Sequence, residues 1–143
     1  MPRIKIAIPD KFIYNTDIPI RITDINYGGH LGNDSLLSII HEARLRFLNH
    51  LNYSESNVEG VGIIMIDSAI QYKSEGFYGD ELLIEIAVND FSGIGCDFVY
   101  RLKNKKSNKE IAVAKTGIVF FDYEKRKTAQ VPSEFKKKIE ELN

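Results

Sequence analysis

The sequence predicts an α+β domain, an antiparallel sheet curled around one long helix. Only one long stretch, Asp34 to Leu51, carries apolar residues at helical spacing, and four or five β-patterned runs lie mostly after it. A third observation marks where that helix begins. Between Arg21 and Asn33 the chain gathers a carboxylate (Asp24), two amides (Asn26, Asn33), an imidazole (His30) and three glycines (Gly28, Gly29, Gly32). This reads as strand, loop, helix start. Glycines let backbone N–H groups approach a ligand, and a helix N-terminus offers unpaired donors with a partial positive charge.

Taken in order, Ile4, Ile6 and Ile8 alternate with other residues until Pro9-Asp10 ends the run, as in a short edge strand or an arm. Phe12 to Thr23 reads as extended, interrupted at Pro19, whose missing N–H suits an edge or a strand start. In the helix, Leu36, Ile40, Ala43, Phe47 and Leu51 form the stripe, widened by Leu37 and Leu48. Asn33 or Asp34 fits the N-cap, Glu42 and Arg46 form an i,i+4 pair, and the length comes to roughly 27 Å. Gly62 to Tyr72 is an Ile-rich strand, and Lys73 to Asp80 is turn material. Leu82, Ile84, Ile86 and Val88 alternate with a more polar set. Gly95 to Leu102 and Ile111 to Tyr123 are further strands, joined by a lysine-rich hairpin tip over Lys103 to Lys109. Pro132-Ser133 opens a short basic helix ending near Leu142, with Ser133 as its cap.

Composition narrows the function classes. A chain of 143 residues suffices for one domain over 1–143 that buries roughly 70% of its unfolded surface. Nineteen basic against twenty acidic side chains argue against bulk attraction to nucleic acid or anionic membrane. One cysteine, Cys96, excludes an internal disulfide and fits a reducing compartment. No stretch approaches a membrane-spanning apolar length, and the start lacks a signal peptide's apolar run, so a cytoplasmic location is expected. His41 and His50 have no metal-ligand spacing, so no metal site is expected. Cys96 reads as a core residue rather than a nucleophile. Asp67 interrupts an Ile-rich strand, and as a buried carboxylate it would belong near a site or at a subunit contact.

Three segments resemble the hotdog-fold acyl-CoA thioesterases of the 4-hydroxybenzoyl-CoA thioesterase type. Asp24-Ile25-Asn26-Tyr27-Gly28-Gly29-His30-Leu31-Gly32-Asn33 is similar to the family's active-site loop, commonly Asp-x-Asp-x-x-Gly-His-x-x-Asn. His41-Glu42-Ala43-Arg44 is similar to its Glu-Ala-Arg helix turn. Tyr72 through Gly79-Asp80-Glu81-Leu82, with Val119-Phe120-Phe121-Asp122 and Val131-Pro132, follows its strand endings.

The resemblance implies a hotdog fold, hydrolysis of an acyl-CoA thioester, and a homodimer or homotetramer (dimer of dimers) with sites between protomers. No metal or organic cofactor is implied. An amide N–H near Asn33 would polarise the thioester carbonyl, with Tyr27, Gly28 and Gly29 forming the rest of the substrate-binding loop. One departure matters: the family's usual catalytic carboxylate, the second Asp, falls on Asn26, which cannot act as a base. Asp24 then either activates water or merely holds the turn. Glu42 on the helix is the second carboxylate to consider, with an ion pair to Arg46 as its structural alternative. Asn26 and His30 either position water or brace the loop. Two rival activities share the fold. Hydration of an enoyl-CoA is suggested by Asp24-x-Asn26, although Tyr27 stands where that motif has Pro and His30 lies one residue later. Non-catalytic acyl-CoA binding is suggested by Asn26 itself.

Overall fold

The computed structural model describes residues 3–143. Its strands are β1 (Tyr14–Pro19), β2 (Gly62–Tyr72), β3 (Glu81–Asn89), β4 (Gly95–Asn104), β5 (Glu110–Asp122) and β6 (Lys127–Ala129). Helix α1 (Asn33–His50) precedes β2, and α2 (Ser133–Leu142) closes the chain. The antiparallel sheet runs β1-β3-β4-β5-β2, with β6 added to β5 beside Phe120–Asp122. Long strands that alternate in burial leave one face apolar, and the α1 stripe covers it. Leu82, Ile84 and Ile86 of β3 meet Phe98, Tyr100 and Leu102 of β4, Ala112 and Ala114 of β5, and Leu36, Ile40, Ala43 and Phe47 of α1 in one buried cluster. Phe47 stacks edge-on against Phe98 with ring centres 5.9 Å apart. The sheet therefore wraps the helix as the α+β reading expects. No helix among the described residues is long and apolar enough to cross a membrane.

Several local expectations are corrected. Of the two readings of the N-terminal isoleucines the edge strand fails and the arm holds: Ile4 to Ala7 run beside Asn89, Asp97, Val99 and Lys115. The extended reading of Phe12 to Thr23 holds only to Pro19, which sits on edge strand β1, where a missing N–H costs no ladder bond. A 3-10 turn over Ile22–Asp24 follows, closed when Asp24 Oδ2 accepts the Arg21 N–H at 2.8 Å. The caps are Gly32 and Pro132, not Asn33, Asp34 or Ser133, which lie inside the first turns. On α1, Leu37 is exposed while Ile39 and Arg44 are buried. Asp67 is exposed: it sits on edge strand β2 after a bulge, where Oδ1 accepts from Lys115 Nζ at 2.7 Å and Gly117 N at 3.0 Å. Gly117 leaves room for this pairing, since a Cβ would come within 2.5 Å of that carboxylate oxygen and push the side chain aside.

Candidate active site

The loop between the 3-10 turn and α1 is built by its own side chains. Asn26 N donates to His30 O at 2.9 Å and Gly29 N donates to Asn26 O at 3.0 Å, which closes residues 26–30 on themselves. Asn26 Oδ1 accepts from Gly28 N at 2.9 Å and His30 N at 3.3 Å. An Asx side chain satisfying the two residues beyond it is a standard way to hold a turn. Gly29 has φ +85°, a left-handed conformation that a side chain would strain. Gly32 then enters the helix; a Cβ there would lie 2.8 Å from Asp34 Oδ1. The first helical bond runs from Leu36 N to Gly32 O at 3.0 Å, so the N–H groups of Asn33, Asp34 and Ser35 precede the helical ladder.

A cavity of about 560 Å³ opens at this end of α1. Asn26, Tyr27, His30 and Leu31 line it from the loop, and Asn33 and Leu36 from the helix. The structure thus brings together Asn26, Tyr27, His30 and Asn33 from the residues singled out in the sequence. Gly28 and Gly29 shape the loop behind them without lining the cavity. Asp24 is not among the lining residues either. It is only 5% exposed, its carboxylate takes the Arg21 N–H, and the Arg21 Nε stands 3.6 Å away. Its carbonyl accepts Gly32 N at 3.0 Å, so both polar ends of Asp24 hold the turn. Glu42 lies apart on the β1 side of the helix. It accepts from Arg46 Nε at 2.8 Å, and Arg46 Nη1 in turn reaches Thr16 Oγ1 and Asp17 O, both at 2.9 Å.

The opposite wall was read from sequence only as turn material. Tyr72 ends β2, Lys73, Ser74, Glu75 and Gly76 follow it, and all five line the cavity with the loop. This segment is tied on both sides. Lys73 N and Ser74 N donate to Ile111 O at 2.9 and 3.1 Å, Ser74 Oγ donates to Glu110 O at 2.6 Å, and Leu31 N donates to Gly76 O at 2.7 Å. Gly76 permits this approach, since a Cβ would come within 2.8 Å of Ile20 Cδ1. The Glu75 side chain is thereby held with Oε1 3.6 Å from His30 Nε2, and it stays 61% exposed. No periodicity marks Glu75 in the sequence. Its one local signal is a charge next to a glycine in a turn.

A second polar cluster lies further along α1. Arg44 is only 3% exposed, donating to Glu55 Oε2 and to Tyr100 Oη, each at 3.1 Å. Tyr100 Oη shares a hydrogen bond with Thr116 Oγ1 at 2.8 Å, and His41 Nε2 pairs with Glu55 Oε1 at 2.7 Å. Burial pushes the Glu55 carboxyl up, but the His41 bond and the Arg44 guanidinium outweigh it and hold the group below its ordinary value. Among the described residues, no buried side-chain nitrogen or oxygen is left without a partner. Cys96 is buried in β4, where desolvation, with Asp97 adding, pushes its thiol up to about 12. It is therefore protonated at neutral pH and no nucleophile, as the sequence reading expects. Among the described residues no three His, Cys, Asp or Glu side chains converge as metal ligands.

The cavity's chemistry follows from its walls. An imidazole beside a carboxylate can hold or move a proton, and helix N-terminal N–H groups can stabilise a developing oxyanion. Solved structures share this fold. A 1,4-dihydroxy-2-naphthoyl-CoA thioesterase from Synechocystis is similar at 21% identity and TM-score 0.81, over 90% of this chain and 96% of that one. A DHNA-CoA thioesterase from Staphylococcus aureus is similar at 18% identity and TM-score 0.75, over 90% and 86%. A gentisyl-coenzyme A thioesterase is similar at 15% identity and TM-score 0.75, over 86% and 99%. No curated protein matches in sequence. The model of the thioesterase-like superfamily matches residues 20–139, a span that runs from the end of β1 through the cavity loop, α1 and the whole remaining sheet, and the chain belongs to that superfamily.

Proposed function

We propose that this chain, a single hotdog domain over 1–143, hydrolyses an acyl-CoA thioester to a free acid and CoA. The observation that carries the reading is the cavity at the N-terminus of α1 in a member of a thioesterase-like family. The thioester carbonyl sits at that helix end, and the N–H groups of Asn33 to Ser35 stabilise the oxyanion formed as water attacks. Asn26 keeps the loop closed and, with His30, orients the water. Tyr27 contacts substrate at the mouth. Asp24 and Glu42 brace the frame through Arg21 and Arg46.

The acting unit is a homodimer, or a dimer of dimers, in the cytoplasm. What supports the dimer is β2, an edge strand carrying the exposed apolar residues Met65, Ile66 and Tyr72. Pairing such edges across a two-fold axis removes both.

The test is release of CoA thiol from short, long and aromatic acyl-CoAs, run beside hydration of a crotonyl thioester. Hydrolysis of at least one thioester without hydration is the expected result. Tight binding of every thioester without turnover would make the chain a binding protein instead.

A further inference from the structure

We propose that Glu75 is the general base of this cavity, supplying the carboxylate that Asn26 does not. The inference rests on the thioesterase reading and names the group that performs its proton transfer. Among the described residues lining the cavity, Glu75 is the one carboxylate; the other titratable groups there are Tyr27, His30, Tyr72 and Lys73. Asp24, nearer in sequence to the loop, is buried and engaged by the Arg21 N–H. Asn26 has its Oδ1 occupied by two loop N–H groups.

Glu75 differs from both in being rigidly carried but free at its tip. Its backbone neighbours are fixed by Ser74 Oγ on Glu110 O and by Leu31 N on Gly76 O. Its carboxylate projects past these anchors to His30 Nε2, 3.6 Å away, on the wall opposite. At 3.6 Å this approach is longer than a hydrogen bond, and His30 is a positioning residue in that its ring bounds the space into which the carboxylate turns.

The step balances without a co-reactant other than water. A Glu75 oxygen takes a proton from water as the water oxygen bonds to the thioester carbonyl carbon. The π pair of the carbonyl moves to its oxygen, held by the α1 N–H groups. When the C=O re-forms, the C–S bond breaks. The sulfur leaves as thiolate and takes the proton back from the Glu75 carboxyl, giving free acid and CoA.

The test measures kcat, KM and the pH dependence of kcat/KM on the best acyl-CoA for wild type, Glu75→Gln, Glu75→Asp and His30→Asn. Glu75 is on the surface, so its variants should fold, and thermal unfolding checks this. Glu75→Gln is expected to lower kcat by about 10²-fold or more with KM little changed. The acidic limb of its pH profile disappears. Glu75→Asp keeps that limb at reduced rate. His30→Asn lowers kcat less than Glu75→Gln does, because it removes a neighbour of the carboxylate and not the carboxylate itself. The proposal is overturned, with the thioesterase reading intact, if wild type turns over and folded Glu75→Gln keeps both its kcat and its acidic limb. It is equally overturned if Asp24→Asn abolishes turnover in folded protein while Glu75→Gln does not. A wild type that releases no CoA from any thioester removes the thioesterase reading and this inference together.

Discussion

Helix α1 carries two polar clusters, one at its first turn and one around Arg44, roughly 16 Å apart along its axis. They use similar chemistry and come to opposite ends. Around Arg44, guanidinium, carboxylate, phenol and hydroxyl satisfy one another, and Arg44, Tyr100 and Thr116 are all buried. At the first turn, His30 and Glu75 face each other over a cavity that Asn33 and Leu36 of the helix also line. With its buried groups paired to one another, the Arg44 cluster works as a staple. The open one keeps donors and a carboxylate available. The difference teaches that partner saturation, rather than the kinds of residue present, separates a structural polar network from a reactive one.

The largest effect that would test this contrast is on stability. Arg44→Met removes the donor that Tyr100 and Glu55 share, and leaving the buried Tyr100 hydroxyl and the half-buried Glu55 each one partner short is expected to cost about 2 kcal/mol. Chemical denaturation should show this loss, while the folded fraction retains kcat. A folded Arg44→Met protein with normal stability and no turnover would place chemistry in the saturated cluster and break the comparison.

A smaller, sharper effect is expected at the open cluster. Asn26 lines the same cavity as Glu75, and its Oδ1 is an acceptor in both of its bonds, so Asp fits there without loss. Asn26→Asp placed in the Glu75→Gln background should regain about 10-fold or more of the lost turnover, because a carboxylate again faces the cavity. No regain in a folded double variant would mean that the position of the base on the Glu75 wall matters as much as its charge.

The smallest effect is a pH dependence. Glu55 is held below its ordinary value of 4.5 by its pairing with His41 and Arg44. A carboxyl lowered on folding contributes stability that is complete above 4.5 and is lost as pH falls through the lower folded value. Glu55→Gln should therefore flatten the acid side of the stability profile below about pH 4.5, the ordinary carboxyl range. An unchanged acid slope would show that the cluster is held by neutral hydrogen bonds alone.

Much of the fold was legible because the signals are local. The 3.6 spacing of Leu36, Ile40, Ala43 and Phe47 and the alternation of Leu82, Ile84, Ile86 and Val88 need only neighbours along the chain to be read. β6 was not legible. Three residues, Lys127–Ala129, show no period, and they become a strand only because Phe120–Asp122 offers an open edge. The caps lie one or two residues before the expected Asn33 or Asp34 and one before Ser133, because Gly32 and Pro132 have the extended backbone that a helix start needs while carrying no capping side chain.

The sequence by itself determined the helix, its glycine-rich start, the long strands and the family to which they belong. Those follow from side-chain periodicity and from a contiguous loop motif. Only the tertiary structure decided which polar residues are spent and which are free. It turned Asp24 into its own turn, joined Arg44 to Glu55, Tyr100 and Thr116 from three other parts of the chain, and set Glu75 across the cavity from His30. Pairing between residues distant in the chain, as around Arg44, is a property of groups brought together by folding, and no spacing along the chain encodes it.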